Sequence, residues 1–306
     1  MIEHLTRRAL LAGALSAVAV SRPRGLLVDT HIHLFDPERF PYHANAVYRP
    51  PAQTLDSYVR FVRETRIDHA VIVHPEPYQD DHSYLEHCLA KEPSSGFFKG
   101  TCLFDPIAAD TPRRMAALVR KHPGRIVALR IHNTRDPKLP PTVSGAIRDR
   151  DLRAPAMKSA WRAAGELGLA IQMHFIPFYA PRIAALAAEF RDVPVVLDHL
   201  ARAGQGTPAE YQEVLKLARY PRVFMKYSGV RYSSKQEYPY DDARPLVRRV
   251  YDAFGPRRIL WGGLGYTAAD FEQNAALLDR MFDFAPETER AAIRGENAAR
   301  LFGFGR

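Results

Sequence analysis

The chain has 306 residues, 46% of them hydrophobic and 25% charged, with a formal charge of +9. That balance supports one large buried core and excludes fibrous, low-complexity and disordered classes. The basic residues are scattered among acids, which argues against nucleic-acid binding, and two cysteines with no C-x-x-C argue against both a disulfide framework and a zinc–thiolate site.

The N-terminus carries Thr6-Arg7-Arg8-Ala9-Leu10-Leu11, an apolar run to Val20, and small residues at Ala17-Val18-Ala19. This pattern resembles a bacterial twin-arginine leader, so residues 1–25 are expected to direct export to the periplasm, with a cytoplasmic protein as the alternative. The run is too short for a stable membrane span. Residues 26–306 then alternate strand and helix. Strands are expected over Gly25–His31, His69–His74, Phe97–Phe104, Ile126–Ile131, Leu169–His174, Val193–Leu197, Val223–Tyr227 and Arg258–Trp261. Helical periodicity lies between them, over Leu55–Arg66, Ser83–Lys91, Pro112–Lys121, Pro155–Leu167, Pro181–Phe190, Pro208–Ala218 and Ala243–Phe254, and after the last strand over Ala268–Phe282 and Pro286–Leu301. The strands are short apolar runs, as strands buried on both faces must be. Eight alternating units imply a parallel sheet closed as a single (β/α)₈ TIM barrel.

A barrel places its chemistry where the strands end. Those positions hold His31 and His33, His74 with Glu76 beyond it, Arg130 and His132, His174, Asp198-His199 with Arg202, Lys226 and Ser228 with Arg231, and Trp261-Gly262-Gly263-Leu264. In His31-Ile32-His33 the two rings share a side of the strand. They can bind a divalent metal or polarise a carbonyl. His31, His33 and His199 are therefore the expected catalytic residues. Arg130, Arg202 and Arg231 can pair with carboxylates, and Tyr48, in the long Pro- and Tyr-rich loop after the first strand, can add a hydroxyl. The expected ligand is a small anionic organic molecule. If a metal is bound, His31, His33, His174 and His199 are its candidate ligands. The sequence assigns no oligomeric state.

Four ordered motifs resemble the amidohydrolase-related family: Val28-Asp29-Thr30-His31-Ile32-His33, Leu197-Asp198-His199-Leu200-Ala201-Arg202, Lys226-Tyr227-Ser228-Gly229, and Asn297-Ala298-Ala299-Arg300-Leu301-Phe302. Within it, Arg39-Phe40-Pro41-Tyr42, Tyr48-Arg49-Pro50-Pro51 and His74-Pro75-Glu76-Pro77-Tyr78 are similar to the branch containing 2-pyrone-4,6-dicarboxylate lactonase. The resemblance implies hydrolysis of a lactone without a cofactor, with the three histidines around the carbonyl and the three arginines on substrate carboxylates. A zinc-bearing site is the alternative. One departure stands out: the family's eighth strand reads Trp-Gly-Ser-Asp, and here Leu264 stands in place of the Asp that activates water or binds metal. Three readings stay open: a lactonase whose base is supplied from elsewhere (Glu76, Asp198 or His174), a metal-dependent decarboxylase, and a barrel that binds ligands without turning them over.

Overall fold

The computed structural model describes residues 25–65, 67–263 and 267–305. Of the expected leader only Gly25 falls within them, and Leu264 lies outside the described residues.

Eight strands run parallel in chain order: β1 (Val28–Ile32), β2 (His69–Ile72), β3 (Phe98–Cys102), β4 (Ile126–Asn133), β5 (Ala170–Phe175), β6 (Val195–Leu197), β7 (Val223–Tyr227) and β8 (Ile259–Trp261). The helices between and after them are α1 (Leu55–Thr65), α2 (Ser83–Ala90), α3 (Thr111–Lys121), α4 (Pro155–Glu166), α5 (Ala180–Glu189), α6 (Pro208–Lys216), α7 (Arg244–Phe254) and α8 (Ala268–Met281). Each helix turns an apolar stripe onto the strands. In α7, for example, Val247, Val250 and Phe254 are buried at helical spacing. Prolines begin several helices, where the missing N–H costs nothing.

Side chains close the seam between β8 and β1. Thr30 Oγ1 donates to the Trp261 carbonyl at 2.6 Å, and the amide of Gly263 donates to Asp29 Oδ1 at 2.9 Å. Asp29 also accepts the His31 amide at 2.9 Å. Burial pushes its carboxyl up to about 6 against the pull of these two amides.

The barrel interior is layered by strand alternation. Val28, Val71, Ala128, Ala170, Val196 and Leu260 form an apolar floor that packs on Ala298 and Phe302. Two residues beyond Ala128, Ala170 and Val196, and beyond Phe224 of β7, come Arg130, Gln172, Asp198 and Lys226, all buried. Above these lies the histidine layer.

The C-terminal helix expected over Pro286–Leu301 is divided. α9 (Glu287–Ala291) opens into one wide π turn, Ala292–Glu296, before α10 (Asn297–Phe302). The cause is close approach to the first strand, since a Cβ on Gly295 would lie 2.0 Å from the Leu26 carbonyl oxygen. Asn297 then donates to the carbonyls of Pro256 at 2.7 Å and Ile259 at 2.8 Å, which ties the helix across the barrel's lower end.

Candidate active site

A cavity of about 590 Å³ opens at the C-terminal ends of the strands. Its walls include His33, His132, His174 and His199, together with Arg130, Arg148 and Arg231, and Tyr48 and Tyr232 from the loops. His31 is fully buried just beneath, with its ring centroid 4.9 Å from that of His33 and 4.4 Å from that of His199. The three histidines, read from two separate motifs, therefore do converge on one point.

Partners that can only accept or only donate fix the proton positions. His33 Nδ1 lies 2.7 Å from the Val73 carbonyl oxygen and so carries a proton, leaving a lone pair on Nε2. His31 Nε2, 3.2 Å away, donates to it. The remaining His31 nitrogen faces Lys226 Nζ at 3.4 Å. Lys226 also donates to the Thr30 carbonyl at 2.9 Å and contacts Asp198 Oδ1 at 3.2 Å, so its three protons are used. On the other wall an arginine N–H of Arg202 donates to His174 Nε2 at 2.8 Å. His174 Nδ1 therefore donates to His132 Nδ1 at 3.3 Å. That leaves a proton on His132 Nε2, which is buried and has no hydrogen-bond partner among the described residues. His199 Nδ1 is held by Ser228 Oγ at 2.8 Å. The lone pair of His33 Nε2 is thus taken by the His31 N–H, the unpartnered donor is His132 Nε2, and His199 pairs through Nδ1 with a hydroxyl that can either donate or accept.

Below the imidazoles, Asp198 contacts Lys226 through one oxygen and accepts from Arg130 (3.2 Å) and Gln172 (3.0 Å) through the other. Lys226, His31 and Arg130 hold its carboxyl well below the usual range despite complete burial. Two cations face this one carboxylate, and the surplus positive charge has two consequences. It adds to burial, the larger cause, in keeping the imidazoles neutral, with His33 and His199 lowered to about 3. It also favours an anion in the cavity.

Of the expected anion-binding arginines, Arg130 and Arg231 line the cavity. Arg202 is not part of its wall. Its guanidinium lies 4.5 Å from the centre of the Tyr232 ring, and its contact there is with His174. A left-handed turn produces this placement: His199, Leu200, Ala201 and Arg202 have φ of 55, 52, 53 and 50°. For residues other than glycine such backbone is strained. It carries His199 and Arg202 onto the two sides of Tyr232, with the His199 ring 5.5 Å from it. Gly229 makes room, because at φ 54° a Cβ would lie 2.8 Å from the Tyr232 ring and 2.9 Å from His199 Nδ1.

Arg148 and Tyr232 are among the cavity residues that the sequence did not single out. Arg148 comes from the long loop 134–154, between β4 and α4. Its Nε is held by Asp149 at 2.8 Å and its NH2 by Thr134 at 2.9 Å. Tyr232 sits in the short turn after β7 and supports both Arg202 and Arg231. The available signal was the length of the first of these loops. His74, by contrast, turns away to hold the Gln79 carbonyl at 2.9 Å.

The residues present fit a divalent cation. His31, Asp198 and His199 bring ligand atoms within 4.8 Å of one another. The His31 and His33 Nε2 atoms are 3.2 Å apart, near the roughly 3.3 Å between two nitrogens on a tetrahedral zinc. The Val73 carbonyl on His33 is the kind of outer contact that orients such a ligand. The expectation of a site working without a cofactor is therefore not supported by the geometry. Asp198 joins the potential ligands, while His174 stands aside with both nitrogens engaged.

Residues 28–304 match the family model described as Amidohydrolase. The chain is similar to 4-sulfomuconolactone hydrolase of Hydrogenophaga intermedia, with 27% identity over 90% of this chain and 88% of the relative. It superposes on a probable 2-pyrone-4,6-dicarboxylic acid hydrolase of Acinetobacter baumannii solved with citric acid bound, at 20% identity and a TM-score of 0.73, covering 91% of this chain and 99% of the other. It also superposes on an amidohydrolase of Burkholderia multivorans solved with bound zinc, at 17% identity and a TM-score of 0.69, covering 92% and 100%.

Proposed function

This chain belongs to the amidohydrolase family, and from that premise we propose that it hydrolyses a lactone or cyclic ester bearing one or more carboxylates. The observation that carries this reading is the cavity itself, with neutral imidazoles at its base and the guanidinium groups of Arg130, Arg148 and Arg231 around it. Relatives whose names include lactone hydrolases support it.

The arginines take the substrate carboxylates and so fix the ring over the imidazoles. The carbonyl oxygen lies toward the N–H of His132 and toward His199, which offers an N–H of its own when Ser228 donates to Nδ1. Neutral imidazole can stabilise developing oxyanion charge in a water-poor site. Arg130 adds positive charge beneath. A zinc held by His31, Asp198 and His199 would supply Lewis-acid polarisation of the same carbonyl. The leader is proposed to deliver the folded enzyme to the periplasm.

The test is a panel of carboxylated lactones assayed before and after dialysis against a chelator, with zinc measured in both samples. The expected result is kcat/KM on the order of 10⁴ M⁻¹s⁻¹ or higher for one member, falling about 10- to 100-fold for an analogue lacking the carboxylate. Activity that follows the zinc content assigns the metal a role. Tight binding of lactones with no turnover overturns the hydrolase reading in favour of a binding barrel, and release of CO₂ from an aromatic acid favours a decarboxylase.

A further inference from the structure

We propose that Glu76, in the turn after β2, is the general base that takes the proton of the attacking water. This inference rests on the lactone-opening reading.

Ester hydrolysis needs a proton acceptor beside the carbonyl, and the described site offers few. The His33 ring has both nitrogens taken, by the Val73 carbonyl and the His31 N–H, and His199 is held at Nδ1 by Ser228. Asp198 is held on both oxygens by Lys226, Arg130 and Gln172 in the layer beneath. Among the described residues lining the cavity, the carboxylates are Glu76 and Asp270. Asp270 is exposed on the first turn of α8.

Glu76 differs from both. It is 2% exposed yet forms part of the cavity wall. Its Oε1 accepts from Gln79 Nε2 at 2.9 Å, while its Oε2 is buried and, beyond the influence of the Val47 amide, has no well-formed hydrogen bond among the described residues. Burial raises its carboxyl above the usual glutamate value, and Arg148, the Gln79 bond, the Val47 amide and Arg130 oppose this only in part. Tyr48 is the other titratable group facing it. A buried carboxylate with one oxygen so weakly partnered is expensive as structure and useful as a base.

The surroundings hold it in place. Gln79 adopts φ 52°, with its carbonyl fixed by His74 Nε2. Its side-chain oxygen accepts the Ile147 amide at 2.5 Å, so one amide group ties Glu76 to the 134–154 loop and brings Arg148 alongside. In the reaction, the water oxygen bonds to the lactone carbonyl carbon as one water proton passes to Glu76 Oε2. The carbonyl electron pair moves onto its oxygen. When that pair returns, the ring C–O bond breaks, and the departing oxygen takes the proton back from Glu76. One water and one lactone give one hydroxy acid, and the carboxylate is regenerated.

The full-length protein and its Glu76→Gln and Glu76→Asp variants are compared on the best lactone of the panel, with kcat, KM, the pH profile of kcat/KM and Tm measured for each. Glu76→Gln is expected to lose about 10²–10⁴-fold in kcat and the acid limb of the profile, with KM within roughly threefold. Its Tm at pH 7 is not lowered, because the amide keeps the Gln79 contact and removes a desolvated charge. Glu76→Asp regains the acid limb at intermediate kcat. A role confined to structure would instead lower Tm and leave the pH profile unchanged. A wild type inert on every lactone overturns the function reading and this one with it. An active wild type whose Glu76→Gln variant keeps kcat within tenfold and the same acid limb overturns the assignment of Glu76 alone.

Discussion

His31, His33, His132, His174 and His199 are buried around one polar cluster, and burial lowers the basicity of each of them. The sign of the resulting pH dependence follows. An imidazole whose folded-state value lies below its unfolded value near 6.5 binds fewer protons when folded. Its contribution is complete above about 6.5 and is lost as pH falls toward the folded value, about 3 for His33 and His199. Scanning calorimetry should therefore show Tm falling steadily between about pH 6.5 and 4, and a flat Tm across that range would refute neutral burial. Asp198 works the same way but lower: its carboxyl is held well below the usual range, so its contribution fails only in strong acid. At this scale His33, His199 and Arg130, which the sequence singles out, line the cavity and His31 lies just beneath it. The sequence could not show which nitrogen carries each proton, because carbonyls and arginines from other strands decide that.

Among the elements, the turns after β6 and β7 act as one unit. The left-handed turn from His199 to Arg202 presents its side chains to Tyr232, and Gly229 lets the two turns approach. Gly229→Ala should push His199 off Ser228 or Tyr232 off the arginines. Displacement of about 1 Å at such a site costs on the order of 10²-fold in rate. The expected outcome is kcat/KM down by roughly that factor with far-ultraviolet circular dichroism unchanged, and full activity in Gly229→Ala would show that the close approach is dispensable. Each strand and each helix between strands was legible in the sequence, because an apolar run and an amphipathic stripe are local patterns. The lengths of β4, which runs on to Asn133, and of β6, which starts only at Val195, were not. Pairing with neighbours sets strand ends. The divided C-terminal helix was likewise hidden, since only contact with Leu26 reveals why Gly295 is there.

For the whole molecule, closure of the ring depends on contacts between its two ends. Leu26, just before β1, meets Gly295 near the C-terminus, while Asp29 and Thr30 hold the end of β8. Gly295→Ala would place a methyl group 2.0 Å from the Leu26 carbonyl oxygen. Overpacking of this kind costs about 1–3 kcal/mol, to be read as a lower denaturant midpoint with an unchanged slope. An unchanged midpoint would mean that the lower end of the barrel is softer than its packing indicates.

By itself the sequence determined the order and number of strands, the barrel they form, and which residues stand at their ends, because those follow from periodicity and chain order. Only the tertiary structure decided what those residues do to one another. It set Asp198 between Lys226 and Arg130, moved Arg202 behind Tyr232, and brought Arg148 and Glu76 to one wall through Gln79. The reason is physical: charge state and hydrogen-bond direction depend on burial and on partners far away in the chain, and neither exists until the ring is closed.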